Sequence, residues 1–225
     1  PTMIRTLFRR RAVSSPVVTA RPGRRGTALR VEALEDRAVP AAVAAAGLRF
    51  AVGVVDAGGA SQVRVYGAAG NQLGAVDVSD LAGTTRPTLA TADVTGDGVA
   101  DVVVGSGDGV PSRVRVVNGA TLQTAFTGSP FDGFAGGVNV AAGDFTGDGT
   151  ADIAVSPSNG GGPRVVVLRG GDFAPVASFI GIADANFRGG ARVAAADLNR
   201  DGRADLVVAA GEGGGPRVAV YDGTT

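Results

Sequence analysis

One nine-residue stretch recurs three times at a nearly constant spacing, and that spacing limits what this 225-residue chain can fold into. The copies are Asp93-Val94-Thr95-Gly96-Asp97-Gly98-Val99-Ala100-Asp101, Asp144-Phe145-Thr146-Gly147-Asp148-Gly149-Thr150-Ala151-Asp152 and Asp197-Leu198-Asn199-Arg200-Asp201-Gly202-Arg203-Ala204-Asp205. Their first aspartates lie 51 and 53 residues apart. A period near fifty residues is the signature of a propeller or a solenoid array.

The stretch has the chemistry of a cation loop. Oxygens at positions 1, 3, 5 and 9 of a tight loop can converge on one hard ion, and the glycine at position 6 permits the turn that folds them together. Position 7 adds a backbone carbonyl. The expected ligand sets are Asp93, Thr95, Asp97, Val99 and Asp101; Asp144, Thr146, Asp148, Thr150 and Asp152; and Asp197, Asn199, Asp201, Arg203 and Asp205. Three carboxylates crowded into nine residues repel one another until a cation neutralises them. A flexible all-oxygen loop suits calcium better than magnesium, which demands near-ideal octahedral geometry. The chain is therefore expected to take up to three calcium ions. Threonine at position 3 is a poorer ligand than the asparagine of the third loop, which makes the first two sites the weaker ones. The same residues also suit plain Asx turns with solvated acids.

Two other calcium motifs do not fit. An EF-hand needs glutamate at position 12, where Val104, Val155 and Val208 stand. Each loop runs into a β-branched segment rather than a helix. The glycine-rich nonapeptide of calcium β-helices is missing too.

The formal net charge of zero hides an asymmetry. Residues 1–40 hold nine Arg against Glu32, Glu35 and Asp36, a net +6. The rest of the chain holds twelve Arg against eighteen acids, nine of them loop aspartates. In the basic leader, Arg9-Arg10-Arg11 precedes an apolar run interrupted by Ser14, Ser15 and Pro16, which makes a poor signal peptide. The decapeptide Val31–Pro40 is similar to a short motif near the N-terminus of some large bacterial exported proteins. A disordered basic arm and an export segment both stay open. Nucleic-acid binding lacks the interleaved aromatics that would support it. No stretch is long and apolar enough to span a membrane. With no Cys, neither disulfides nor thiolate metal sites are available.

A second motif shares the register of the loops. Gln62, Arg113, Arg164 and Arg217 each follow a Gly/Pro turn and open a β-branched strand, and they lie 51, 51 and 53 residues apart. One unit then reads as four strands: Val138–Ala142 before the loop, Ala151–Ser156 after it, Arg164–Leu168 across a glycine-rich turn, and Pro175–Ile180 outside. Four short antiparallel strands in about fifty residues is the size of a propeller blade. The Val/Ala/Ile runs of the first two strands predict burial on both faces, between blades.

The stretch Phe134-Ala135-Gly136-Gly137-Val138-Asn139-Val140-Ala141-Ala142-Gly143-Asp144, with its loop and Gly161-Gly162-Pro163, resembles the FG-GAP/VCBS repeat. Phe187-Arg188-Gly189-Gly190 and the residues to Asp197 match again. That repeat builds the β-propeller of integrin α subunits and of many bacterial surface proteins. The resemblance covers roughly residues 48–225 and implies calcium in the D-x-[DN]-x-D-G-x-x-D loops. It departs in two places. Leu81–Thr85 replaces the Phe-Gly-Gly stretch of the second unit, and Ala45-Ala46-Gly47-Leu48 replaces the loop of the first. Kelch and WD blades lack the Asp loop and carry a tryptophan that this chain does not have.

The expected architecture is all-β: residues 1–40 as leader, and 41–225 as a propeller of four-stranded antiparallel blades. The units fall at about 42–80, 87–131, 137–181 and 190–225. The last ends after its third strand. Either the chain is a fragment of a larger propeller, the favoured reading, or Leu29–Ala33 of the leader supplies the missing strand. An open edge would invite further blades or a partner chain. The expected function is a non-catalytic extracellular module for adhesion or ligand binding, with structural calcium. Its ligand, a protein or a glycan, would meet a propeller face near Arg113, Arg164, Arg217 and Glu212. The alternative is a carbohydrate-binding propeller or a glycan hydrolase or lyase. Without His, Lys or Cys, the usual bases and nucleophiles are gone. A carboxylate pair could still act on sugars, but the acids outside the loops form no recognisable constellation.

Overall fold

The computed structural model describes residues 9–10, 50–55 and 59–224. β-Branched runs broken by Gly-rich turns become four antiparallel meanders, with no helix among the described residues. The first sheet holds β2 (Phe50–Val55), β3 (Ser61–Tyr66) and β4 (Gln72–Asp77). The second holds β5 (Thr88–Ala92), β6 (Asp101–Gly105), β7 (Val114–Val117) and β8 (Thr124–Gly128). The third holds β9 (Val138–Gly143), β10 (Asp152–Pro157), β11 (Arg164–Leu168) and β12 (Pro175–Ile180). The fourth holds β13 (Ala191–Ala196), β14 (Asp205–Ala210) and β15 (Val218–Asp222). At the outer edge of β15 lies β1 (Arg9–Arg10), antiparallel, with Arg9 opposite Asp222 and Arg10 opposite Tyr221. A leader residue pair thus meets that edge. The expected segment, Leu29–Ala33, lies outside the described residues.

The third blade follows the expected strands to within one residue at each end. The first blade differs: among the described residues it has three strands, not four. Register identifies which one is missing. Ala51 pairs with Val65 as Val103 pairs with Val116 and Ala154 with Val167. β2 is therefore the counterpart of β6 and β10, the second strand of a blade, and no inner strand lies beside it among the described residues. A groove of about 280 Å³ lies between the first and second blades, bordered by Gly53–Val55, Val63, Val78, Pro87 and Leu89.

Burial occurs between blades. β6 and β10 are buried at every residue, as two-sided apolar strands should be. Val63, Val65, Val102, Val104 and Val117 fill the space between blades one and two. Val103, Val114, Val116, Ile153 and Val155 fill the next. Phe145, Val165, Val167, Leu206 and Val208 fill the last. A polar seam runs beside these cores. Thr88 Oγ1 donates to the Val138 carbonyl at 2.7 Å, and one blade on, Asn139 Nδ2 donates to the Ala191 carbonyl at 2.8 Å.

Candidate metal centre

The three aspartate loops connect β5 to β6, β9 to β10 and β13 to β14. Their turns are made as the glycines predict. Position 6 has positive φ in each loop: Gly98 at 83°, Gly149 at 91° and Gly202 at 91°. Position 4 also lies in the left-handed region. Gly96 and Gly147 accept this freely, but Arg200 stands there at φ 63° and carries the steric cost of its Cβ.

Positions 1 and 9 are engaged by the backbone. Asp144 Oδ1 accepts from the N–H of Gly147 (2.6 Å) and Asp148 (3.2 Å), and its Oδ2 from Gly149 (2.9 Å). Asp93 and Asp197 repeat the pattern. Asp152 is buried. Its Oδ2 accepts from the N–H of Phe145 (3.0 Å) and Thr146 (2.8 Å), and its Oδ1 from Gly170 (2.9 Å), in the turn after the third strand. Asp101 ties Val94, Thr95 and Gly119 together in the same way. Asp205 does so for Leu198 and Gly223. Burial pushes the pKa of Asp101 and Asp152 up, against the pull of those N–H donors.

The middle of each loop is different. In the first, Asn118 Nδ2 donates to both Thr95 Oγ1 (3.2 Å) and Asp97 Oδ2 (2.6 Å). In the third, Asn199 Nδ2 donates to Asp201 Oδ2 (2.7 Å) and Asp222 Oδ2 (3.3 Å). In the second, the counterpart of Asn118 is Arg169, whose guanidinium is paired with Asp172 instead. Thr146 Oγ1 is buried there with no hydrogen-bond partner. It lies near enough to the Asp152 carboxylate to favour its charged form, without a bond of normal geometry. The charge of Asp148 adds to the upward push on Asp152. The second loop thus keeps the carboxylate repulsion and the orphaned oxygen that a cation would relieve.

The first and third loops therefore bring positions 3 and 5 to one slot, and all three loops hold positions 1 and 9 with N–H groups. No group of three carboxylates poised for a metal ion occurs among the described residues. Position 7 acts through more than its carbonyl. The Thr150 side chain packs 3.6 Å from where a Cβ on Gly96 would sit, and any side chain at Gly147 would meet the Arg203 guanidinium. Position 8 links neighbouring loops: the N–H of Ala151 donates to the Asp93 carbonyl (3.0 Å), and that of Ala204 to the Asp144 carbonyl (2.9 Å). Sequence reasoning missed this ladder and the slot residues Asn118, Arg169 and Asp222. Their 51- and 53-residue spacing was the signal that could have found them.

The expected ligand-face residues are not gathered into one site. Arg113 lies 3.9 Å from Asp80, Arg164 donates to Ser178 Oγ at 3.1 Å, and Glu212 accepts from Asn159 Nδ2 at 2.8 Å. Arg217 sits 5.4 Å over the Phe187 ring and 3.5 Å from Asp184.

A family model described as FG-GAP-like repeat matches residues 93–155 and again 144–208, beginning each time at the first aspartate of a loop. No curated protein matches the sequence. Two rhamnogalacturonan lyases are among the solved structures it is similar to. Rhamnogalacturonan lyase YesW is 14% identical with a TM-score of 0.47, over 73% of this chain and 43% of that one. The exotype rhamnogalacturonan lyase YesX is 13% identical with a TM-score of 0.47, over 77% of this chain and 42% of that one. The chain spans less than half the length of either enzyme.

Proposed function

The chain belongs to the family of FG-GAP-like repeats, and from that premise we propose that it is a calcium-stabilised, non-catalytic propeller module that binds a protein or glycan outside the cytoplasm. The observation that carries the calcium reading is the buried, unpartnered Thr146 Oγ1. Thr146, Asp148 and the Thr150 carbonyl, with Asp144 and Asp152 behind them, are the residues that would hold the ion. The second loop is then the first to fill, against the order expected from threonine at position 3, because amide donors occupy the slots of the first and third. A bound calcium ion would neutralise the repulsion between the Asp148 and Asp152 carboxylates.

The extracellular setting follows from affinity. Loops with neutral ligands at position 3 suit the ~10⁻⁴–10⁻³ M range of extracellular calcium modules. Calcium at 100 times Kd would stabilise the fold by roughly 2.7 kcal/mol per site. No helix among the described residues is long and apolar enough to cross a membrane. The non-catalytic reading is supported by how the acids outside the loops are used. Asp80, Asp172 and Asp184 pair with arginines, and Asp108 accepts the Gly137 N–H at 2.7 Å.

The test is a thermal melt in chelator, followed by calcium and magnesium titrations of wild type and Thr146→Val. The expected result is a calcium-selective rise in Tm that the variant reduces. A Tm unmoved by calcium would sink the reading. A glycan array and a lyase assay, both with calcium present, separate a lectin or an enzyme from a protein-binding module.

A further inference from the structure

Beside each aspartate loop stands one residue from the end of the third strand, and its chemistry changes from blade to blade. Gly119, Gly170 and Gly223 each donate their N–H to Oδ1 of the position-9 aspartate, at 2.8, 2.9 and 3.3 Å. The residues just before them, Asn118, Arg169 and Asp222, are thereby brought to the same place beside the three loops. An amide, a guanidinium and a carboxylate share one structural position. The first and second loops otherwise match: both have threonine at position 3 and aspartate at positions 1, 5 and 9. Their side-chain ligand sets therefore give no reason for the two to differ.

Asn118 is fixed with its donor inward. Its Oδ1 accepts from the N–H of Ala120 (3.0 Å) and Thr121 (2.9 Å) and from the Thr121 hydroxyl (3.0 Å). Turning the amide round would give up all three bonds. That clamp leaves Nδ2, a donor only, on Thr95 Oγ1 and Asp97 Oδ2. The first slot is filled by a group that does a cation's work there and cannot bind one. In the third slot the donor is Asn199, itself a loop residue, and Asp222 adds a carboxylate beside it.

Arg169 brings a full positive charge to the second loop. Its pKa is raised, first by hydrogen bonding and the charge of Asp172 and then by the charges of Asp148 and Asp152. The guanidinium is nonetheless drawn aside, with Nε on Asp172 Oδ1 at 3.1 Å and a second N–H on Oδ2. Asp172 is held in turn, because its Oδ1 accepts the Ala174 N–H at 3.1 Å. Thr146 Oγ1 is left without a hydrogen-bond partner.

We propose that the residue at 118, 169 and 222 selects which loops take calcium, with Asn118 as a built-in stopper of the first loop and Asp172 as the tether that keeps Arg169 off the second. This rests on the calcium reading above. Released from Asp172, Arg169 turns to the loop carboxylates and competes with the ion for them.

Calcium titration calorimetry on the full chain, with melts followed by circular dichroism, tests this. Asn118→Asp keeps the shape and the clamp and replaces the donor by an oxygen. It should bind one more ion per chain than the wild type, and its Tm should fall in chelator and recover with calcium. Asn118→Ala, which only empties the slot, replaces it if that variant does not fold. Asp172→Ala should weaken calcium binding at the second loop about tenfold, as a unit charge set free beside a partly exposed site does. Adding Arg169→Ala to it should restore the wild-type affinity, which a merely structural role for Asp172 would not allow. A wild type that binds calcium while Asn118→Asp adds no ion, or while Asp172→Ala leaves the affinity unchanged, overturns the selection and spares the calcium reading. Absence of binding in the wild type and every variant sinks both.

Discussion

The first and third blades are built on one pattern and placed in different surroundings. Both are antiparallel meanders with a bulge at the same point, between Val65 and Tyr66 in one and between Val167 and Leu168 in the other. Val52 and Val155 sit at the same register position with the same side chain. Val155 has a blade on each side of its sheet and is buried, whereas among the described residues Val52 has a blade on one side only and is 40% exposed. The third blade also has a buried aspartate that ties its loop to the next turn. The aligned residue of the first unit is Arg49, outside the described residues. Sequence pattern makes the meander, and neighbours decide what each apolar residue is worth.

Three substitutions probe that difference, from the largest effect to the smallest. Asp152→Ala removes the acceptor for the N–H groups of Phe145, Thr146 and Gly170, of which Phe145 keeps the Gly143 carbonyl and Gly170 lies buried. The expected loss is roughly 3 kcal/mol or more, read by denaturant titration in chelator. A loss that vanishes in chelator but appears with calcium would make Asp152 a ligand first and a structural clamp second. Next, Val155→Ala should cost roughly 2 kcal/mol, from lost burial plus the cavity left between blades. Val52→Ala should cost under about 0.5 kcal/mol in dilute protein, as exposed positions do. Equal costs at both positions in dilute protein would mean that the first blade is already covered.

The smallest effect concerns Asp172, in the turn after β11. Hydrogen bonding to Arg169 lowers its pKa to about 2. A lowered carboxylate contributes stability above its ordinary pKa of 3.8 and loses it as pH falls through about 2. The pair is solvent-exposed, so Asp172→Asn should barely move Tm at neutral pH and slightly flatten the acid limb of the curve. Asp77 of the first blade, lowered by hydrogen bonds from Ser79, should give a similar small change. Here the two blades should nearly agree, because the largest cause is a local hydrogen bond in each; Arg115 of the second blade adds only a lesser pull on Asp77.

Much of this was legible in the residues. The repeat spacing gave the blade length, and the β-branched runs gave β10 and β11 almost to the residue. The positions of the three loops between first and second strands followed from the same spacing. Ligand geometry did not follow. Spacing places Asp144, Asp148 and Asp152 on one loop, but it does not say that backbone N–H groups reach the first and the last of them. Those donors come from the folded turn and, at Gly170, from a turn eighteen residues downstream.

By itself, then, the sequence determined the repeat, the strand pattern, the turn glycines and the oxygen-rich loops, since each depends on residues close along the chain. Only the tertiary structure decided which oxygens stay unpaired and which apolar faces stay open. Thr95 and Thr146 are the same residue at the same loop position, yet Asn118 donates to one and no amide donor reaches the other. The physical reason is that hydrogen-bond satisfaction and burial depend on what another part of the chain brings to the site, and a local motif does not carry that information.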